Sequence, residues 1–195
     1  PPLRHSSAAS DVYKRQDPVK TALNSFKFRS IGPAFMSGRI ADIAIDPENE
    51  NVWYVAVGSG GVWKTENAGT TWSPLTDSMP FYSTGCITID PHNNSSIWLG
   101  TGENVGGRHV GIGHGVYHSK DGGKTWKDMG LKDSEHVSKI IVHPNDPNTV
   151  WVASQGPLWS SGGERGLFKT SDGGKSWKNT LEAVSYTHLT LPTNG

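Results

Sequence analysis

The chain of 195 residues has a single cysteine, Cys86, so no internal disulfide can staple it. That thiol sits in the apolar run Cys86-Ile87-Thr88-Ile89 and reads as a small core hydrophobe. An excess of one charge is missing too, because 18 Lys and Arg face 18 Asp and Glu with no basic stripe. Such a balance gives no grip on a phosphate backbone, and no nucleic-acid partner is expected. No apolar run reaches the ~18 residues that a membrane helix needs, and no charged-then-apolar leader opens the chain. A nucleophile elbow, a phosphate loop and a clear set of metal ligands are also lacking, so no cofactor is expected.

Glycine and tryptophan are plentiful, at 24 and 8 residues. Together they point to tight turns between short, aromatic-rich strands. With 34% hydrophobic and 18% charged residues, the chain fits a loop-rich globular protein rather than a disordered one.

The two ends read differently from the rest. Residues 6–16 are SSAASDVYKRQ and residues 184–193 are VSYTHLTLPT. Both resemble translations of a transposon-end adaptor used to prepare DNA sequencing libraries, read on opposite strands. Segments of this kind are set aside before fold reasoning. Residues 1–16 and 184–195 are therefore expected to be adaptor-derived and disordered, with 17–37 a lead-in to the first structural unit.

Between the ends the sequence repeats itself. Thr65-Glu66-Asn67-Ala68-Gly69-Thr70-Thr71-Trp72 returns as Ser119-Lys120-Asp121-Gly122-Gly123-Lys124-Thr125-Trp126 and as Thr170-Ser171-Asp172-Gly173-Gly174-Lys175-Ser176-Trp177. The spacings are 54 residues (65 to 119) and 51 residues (119 to 170). A short apolar strand precedes each box, and a further shared element lies upstream: IAIDPENENVWYVA, ITIDPHNNSSIWLG and IIVHPNDPNTVWVA, at 43–56, 87–100 and 140–153. Each unit parses into four strands, in the first near 39–46, 51–57, 61–65 and 71–75. The Asp-Pro stretch is the first turn, because Pro ends a ladder and Asn, Asp and Ser supply turn chemistry. His143 takes the Asp position of that turn in the third unit and reads as a turn residue. The box is the hairpin between the third and fourth strands. Its Asp accepts backbone N–H bonds, its glycines allow positive φ, and its Trp opens the outer strand.

Four-stranded units of about 50 residues in tandem are the signature of propeller blades. A β-sandwich is the alternative, but it does not account for three copies of one hairpin. The expectation is an all-β, incomplete propeller with blades at 38–80, 81–133 and 134–183. Three blades do not close a ring, so further blades of a longer chain are its expected partners.

The boxes resemble the Asp-box, or BNR, repeat, with Asn67 in place of Asp in the first. The order of FRSIGPAFMSGRIADIAIDP (28–47), GSGGVWKTENAGTTW (58–72) and GTGE (100–103) resembles bacterial proteins with a sortilin (Vps10)-like N-terminal propeller. That resemblance implies an extracellular module, secreted or on the cell surface, holding a protein or peptide ligand or acting as a scaffold. Asp-box propellers also include xyloglucan-degrading enzymes and sialidases, so a glycoside hydrolase with a glycan substrate is the alternative. Assembly factors of photosystems carry similar boxes and imply a third, structural role.

The box residues are expected to be structural: Thr65, Asn67, Gly69, Thr71 and Trp72, then Ser119, Asp121, Gly123, Thr125 and Trp126, then Thr170, Asp172, Gly174, Ser176 and Trp177. Candidate ligand-rim residues lie on two longer links between second and third strands. The first holds Glu103, Arg108, His109 and His114, and the second holds Trp159, Glu164 and Arg165. Loops on a rigid scaffold often carry function, and these two leave the same edge of adjacent blades. His109 and His114 alone are too few to predict a metal. Glycoside hydrolysis needs two facing carboxylates ~5–9.5 Å apart. In the xyloglucanase-like enzymes one acid precedes the Gly-Gly before strand three of an early blade, and the matching stretch here, Gly58-Ser59-Gly60-Gly61, has none. Phe28-Arg29-Ser30-Ile31-Gly32-Pro33 is a loose echo of a sialidase arginine motif. Glu103 is the best candidate acid, with no visible partner.

Overall fold

A computed structural model describes residues 38–104 and 110–182. The expectations for residues 1–16, 17–37 and 184–195 fall outside them, as do Arg108 and His109. The protein is all-β: three antiparallel four-stranded sheets, each built from strands consecutive in sequence. Blade 1 contains β1 (Ile40–Ile45), β2 (Trp53–Val57), β3 (Gly61–Thr65) and β4 (Ser73–Pro74). Blade 2 contains β5 (Thr84–Asp90), β6 (Asn93–Thr101), β7 (Val116–Ser119) and β8 (Lys127–Asp128). Blade 3 contains β9 (Val137–His143), β10 (Asp146–Ser154), β11 (Gly166–Thr170) and β12 (Lys178–Glu182). Each sheet meanders in chain order, as an incomplete propeller requires.

Alternation along β6 shows how the blades stack. Ile97 and Leu99 point toward blade 1 and pack with Tyr54, Ala56, Val62 and Phe81. Trp98, between them, points the other way and packs with Val150, Val152 and Phe168 of blade 3. A period of two thus lets one strand serve two cores, one on each side of its sheet. The first strands of successive blades lie side by side and are cross-bonded. The Asp42 carboxylate in β1 accepts from the Ile87 backbone N–H of β5 at 3.2 Å and from Lys139 of β9 at 3.3 Å. Thr88 in turn donates to the Ile140 carbonyl at 2.9 Å.

The second and third box hairpins land on the preceding blade. Trp126, from blade 2, packs into the core shared with blade 1. Trp177, from blade 3, meets Trp98 edge-on at 6.3 Å and donates its Nε1–H to the Met129 carbonyl at 2.7 Å. Trp98 comes so close to the third box that a Cβ at Gly174 would lie 2.9 Å from its ring; that residue also has φ +85°, so only glycine fits.

The outer strands differ from expectation in one respect. They begin one residue after each Trp, at Ser73, Lys127 and Lys178, and the first two are only two residues long. The physical reason is local. The backbone N–H groups of Thr71, Thr125 and Ser176 are taken by the box carboxamide or carboxylates, and Pro74 has no N–H to extend the first ladder.

Candidate functional site

Within the boxes the first Ser or Thr and the Asn or Asp bond back into their own turn. In the second, Ser119 donates to Asp121 at 2.8 Å and accepts from the Gly123 N–H at 2.8 Å. Asp121 accepts from the Thr125 backbone at 2.9 Å and hydroxyl at 2.6 Å. The third box repeats the pattern with Thr170, Asp172, Gly174 and Ser176. These donors hold the Asp121 carboxyl down to about 2, led by the Thr125 hydroxyl, and depress Asp172 further, led by Ser176. In the first box Asn67 accepts from the Thr65 hydroxyl and the Thr71 N–H, while its amide nitrogen donates to Thr71 Oγ1 at 2.8 Å. Gly69 N–H donates to Thr65 Oγ1 at 2.9 Å. Trp72 is exposed, tilted against Trp53 at 6.4 Å.

The rim residues divide. Glu103 follows β6 and is 1% exposed, not a solvent-facing acid. Its carboxylate has a partner that sequence reasoning missed: Arg39, from blade 1, which donates Nη2–H to Oε2 at 2.7 Å and Nε–H to Oε1. The fork is bidentate, and the Arg39 side chain stays 58% exposed. The Glu103 N–H donates to Ser83 Oγ and to the Gly111 carbonyl, each at 3.0 Å. Its carbonyl lies 2.8 Å from His136 Nδ1. Glu103 therefore ties together Arg39, the start of β5 and the start of β9. It also explains Gly58: a Cβ there would sit 2.7 Å from Glu103 Oε1, so the carboxylate from blade 2 fills the space that a side chain at 58 would enter. Sequence alone offers no signal for a pair 64 residues apart.

His114 is exposed on the same link, its backbone N–H held by Thr101 Oγ1 at 2.7 Å. Glu164 turns inward: its Oε2 accepts from the Asp133 N–H at 3.0 Å. Arg165 bends back on its own loop, donating to the Ser160 carbonyl at 3.1 Å and to that of Pro157. Trp159, on the same loop, is 79% exposed. An open groove of about 480 Å³ lies where both links meet the segment joining blades 2 and 3; His114, Lys132, Asp133, Glu135, Pro157 and Gly163 are among its lining residues. Among the described residues no three His, Cys, Asp or Glu side chains cluster to hold a metal, and no helix is long and apolar enough to cross a membrane.

Two further buried groups carry no visible chemistry. Burial pushes the Cys86 thiol up to about 12, leaving it protonated and unreactive. Ser96 bridges Asp90 at 3.1 Å and His118 at 2.8 Å. His118 stacks on Trp98 with ring centroids 4.1 Å apart, and burial lowers it to about 4. The hydroxyl sits between acid and imidazole and is itself buried, so the chain of bonds fixes the joint to blade 3 and exposes no nucleophile.

No family model matches the chain. It is similar to a probable oligoxyloglucan-reducing end-specific xyloglucanase of Neosartorya fischeri, 23% identical over 177 residues, covering 83% of this chain and 20% of that protein. It is also similar to the xyloglucanase Xgh74A of Acetivibrio thermocellus, 25% identical over 173 residues, covering 71% of this chain and 19% of that one. The chain thus spans about a fifth of the length of these curated relatives. Among solved structures, a GH74 enzyme of Niastella koreensis superposes with a TM-score of 0.56 at 22% identity, over 71% of this chain and 21% of that chain. YCF48 from Cyanidioschyzon merolae superposes with a TM-score of 0.50 at 19% identity, over 75% of this chain and 38% of that one. At these identities the superpositions establish the propeller fold. The curated relatives favour the glycoside-hydrolase alternative over the sortilin-like scaffold.

Proposed function

We propose that the chain is a piece of a secreted β-propeller of the xyloglucanase type, and that its three blades form part of a glycan-holding wall. The observation that carries this reading is that the curated relatives reported above are xyloglucanases matching most of the chain. Local chemistry limits the share of the reaction done here. The stretch Gly58-Ser59-Gly60-Gly61, where xyloglucanase-like enzymes carry an acid, has none, and the carboxylate beside Gly58, Glu103, is engaged by Arg39. A general acid must reach the glycosidic oxygen, and a carboxylate that is 1% exposed and already held by arginine is not placed to do so. The paired catalytic carboxylates of such an enzyme would come from blades outside residues 38–182.

Affinity electrophoresis in gels cast with soluble xyloglucan, paired with a reducing-sugar assay, tests this reading. Retardation of the chain without sugar release is the expected result. Release of reducing sugar by the chain alone would overturn the assignment of the acids to other blades. No retardation would favour a second reading, a protein- or peptide-binding or scaffold propeller, which the absence of an acid in Gly58-Ser59-Gly60-Gly61 also supports.

A further inference from the structure

The two middle strands of each blade set one aromatic ring opposite one basic side chain. Tyr54 of β2 pairs with Lys64, Trp98 of β6 with His118, and Trp151 of β10 with Lys169. The ammonium groups of Lys64 and Lys169 stand over their rings, 5.5 and 5.3 Å from the centroids. A lysine can carry its charge past the ring to water on a flexible stem, and a histidine cannot. His118 instead lies flat on Trp98 with centroids 4.1 Å apart, and both are buried. Trp98 is covered in turn by Val150, Val152, Phe168 and Trp177 of blade 3.

The bonds around His118 fix its charge. Ser96 donates its one hydroxyl proton to Asp90, so the 2.8 Å contact with His118 requires an N–H at Nε2, which the neutral ring supplies. A second proton would go to Nδ1, which has no hydrogen-bond partner among the described residues. Asp90 of β5 favours the cation, whereas Lys120 of the second box and Lys127 of β8 oppose it. Against Trp98, blade 3 places Gly174 and Trp177, and the carboxylate of that box, Asp172, is spent within its own turn. Burial is the largest influence and lowers the ring to about 4. His92 also spans this joint, its Nε2 3.0 Å from the His143 carbonyl, but a protonated ring makes that bond as well as a neutral one.

We propose that His118 is an acid-sensitive pin of the joint between blades 2 and 3: neutral, it seals the joint, and protonated, it opens that joint while blades 1 and 2 stay together. The inference is independent of the glycan reading. Because the closed-state value lies below the ordinary ~6.5, the stability of the joint is complete above ~6.5 and is lost as pH falls toward about 4. The indole N–H groups of Trp98 and Trp126 report on the two joints separately, since each is buried without an acceptor and only packing shields it from water. The test is nitrogen-15 NMR of solvent exchange at these two signals in the 195-residue chain, assigned by Trp98→Phe and Trp126→Phe. Between pH ~7 and ~5 the protection of Trp98 should fall about 20-fold, while that of Trp126 changes less than about two-fold. His118→Gln, which stays neutral and can still donate to Ser96, should abolish the fall. His118→Lys should leave Trp98 poorly protected at both pH values. Parallel losses at Trp98 and Trp126 would overturn the proposal, as would a His118→Gln protein that keeps the parent's pH dependence. Should His118→Gln not fold, the imidazole nitrogen signals of the parent decide the matter. A His118 ring that titrates near its ordinary value with Trp98 still protected would also overturn the pin.

Discussion

Asn67 and Asp121 hold the same place in the first two boxes but run one hydrogen bond in opposite directions. Asn67 donates to the Thr71 hydroxyl, whereas Asp121 accepts from that of Thr125. Both also accept the backbone N–H four residues on, so the turn closes either way. The difference is electrical. Because the folded-state pKa of Asp121 is depressed to about 2, its contribution to stability is fully present above the ordinary carboxylate value. It is lost as pH falls from ~4 through the folded value. Asp121→Asn should therefore stay within about 0.5 kcal/mol of the parent at neutral pH. Asp121→Ala, which leaves the turn donors to solvent, should cost about 1 kcal/mol, a modest figure because the box is solvent-exposed. In urea melts repeated near pH ~2.5 the parent should have lost ground relative to Asp121→Asn. Parallel losses in the two proteins would show that the carboxylate charge plays no part.

The link after β6 shows what a single element can require of its neighbour. Glu103 is anchored through its own backbone by Ser83 and Gly111, so its side chain cannot retreat when the β2–β3 turn presses on it. Gly58→Ala should cost about 1–3 kcal/mol, because the new methyl group meets a carboxylate fixed by Arg39. In a Glu103→Ala background the same change should cost much less, and a double-mutant cycle of denaturation midpoints should give a coupling above about 0.5 kcal/mol. Additive costs would mean that the carboxylate is free to move. The strands themselves were legible from their period and from the turn residues between them, because both signals are local. The boxes were legible because one hairpin is written three times. The Arg39–Glu103 pair was not, since it joins blades through space and neither residue belongs to a motif that names the other. The groove was half legible: the two long links stood out by length, but Glu164 and Arg165, singled out as rim residues, brace backbone, and Asp133 and Glu135 entered only through the segment joining blades 2 and 3.

Across the whole array, stability resides in the joints, since each sheet alone leaves both faces to water. The equivalent residues Tyr54, Trp98 and Trp151 make this visible. Tyr54 and Trp98 are covered by the following blade and almost fully buried, whereas Trp151 is only half-buried, beneath Lys169. On β9 of the same sheet Ile141 is 55% exposed. The box tryptophans should differ in the same way. Trp177 fills the joint between blades 2 and 3 and bonds the Met129 carbonyl, while Trp72 rests against its own blade. Trp177→Ala should therefore cost about 2–3 kcal/mol more than Trp72→Ala, although both delete the same side chain from the same motif. Trp177→Phe should recover part of that loss by refilling the space without the indole hydrogen bond. Chemical denaturation of the three variants measures the difference. Equal costs for Trp72→Ala and Trp177→Ala would place the stabilisation inside each hairpin, and the blades would then be independent sheets rather than a stack held at its joints.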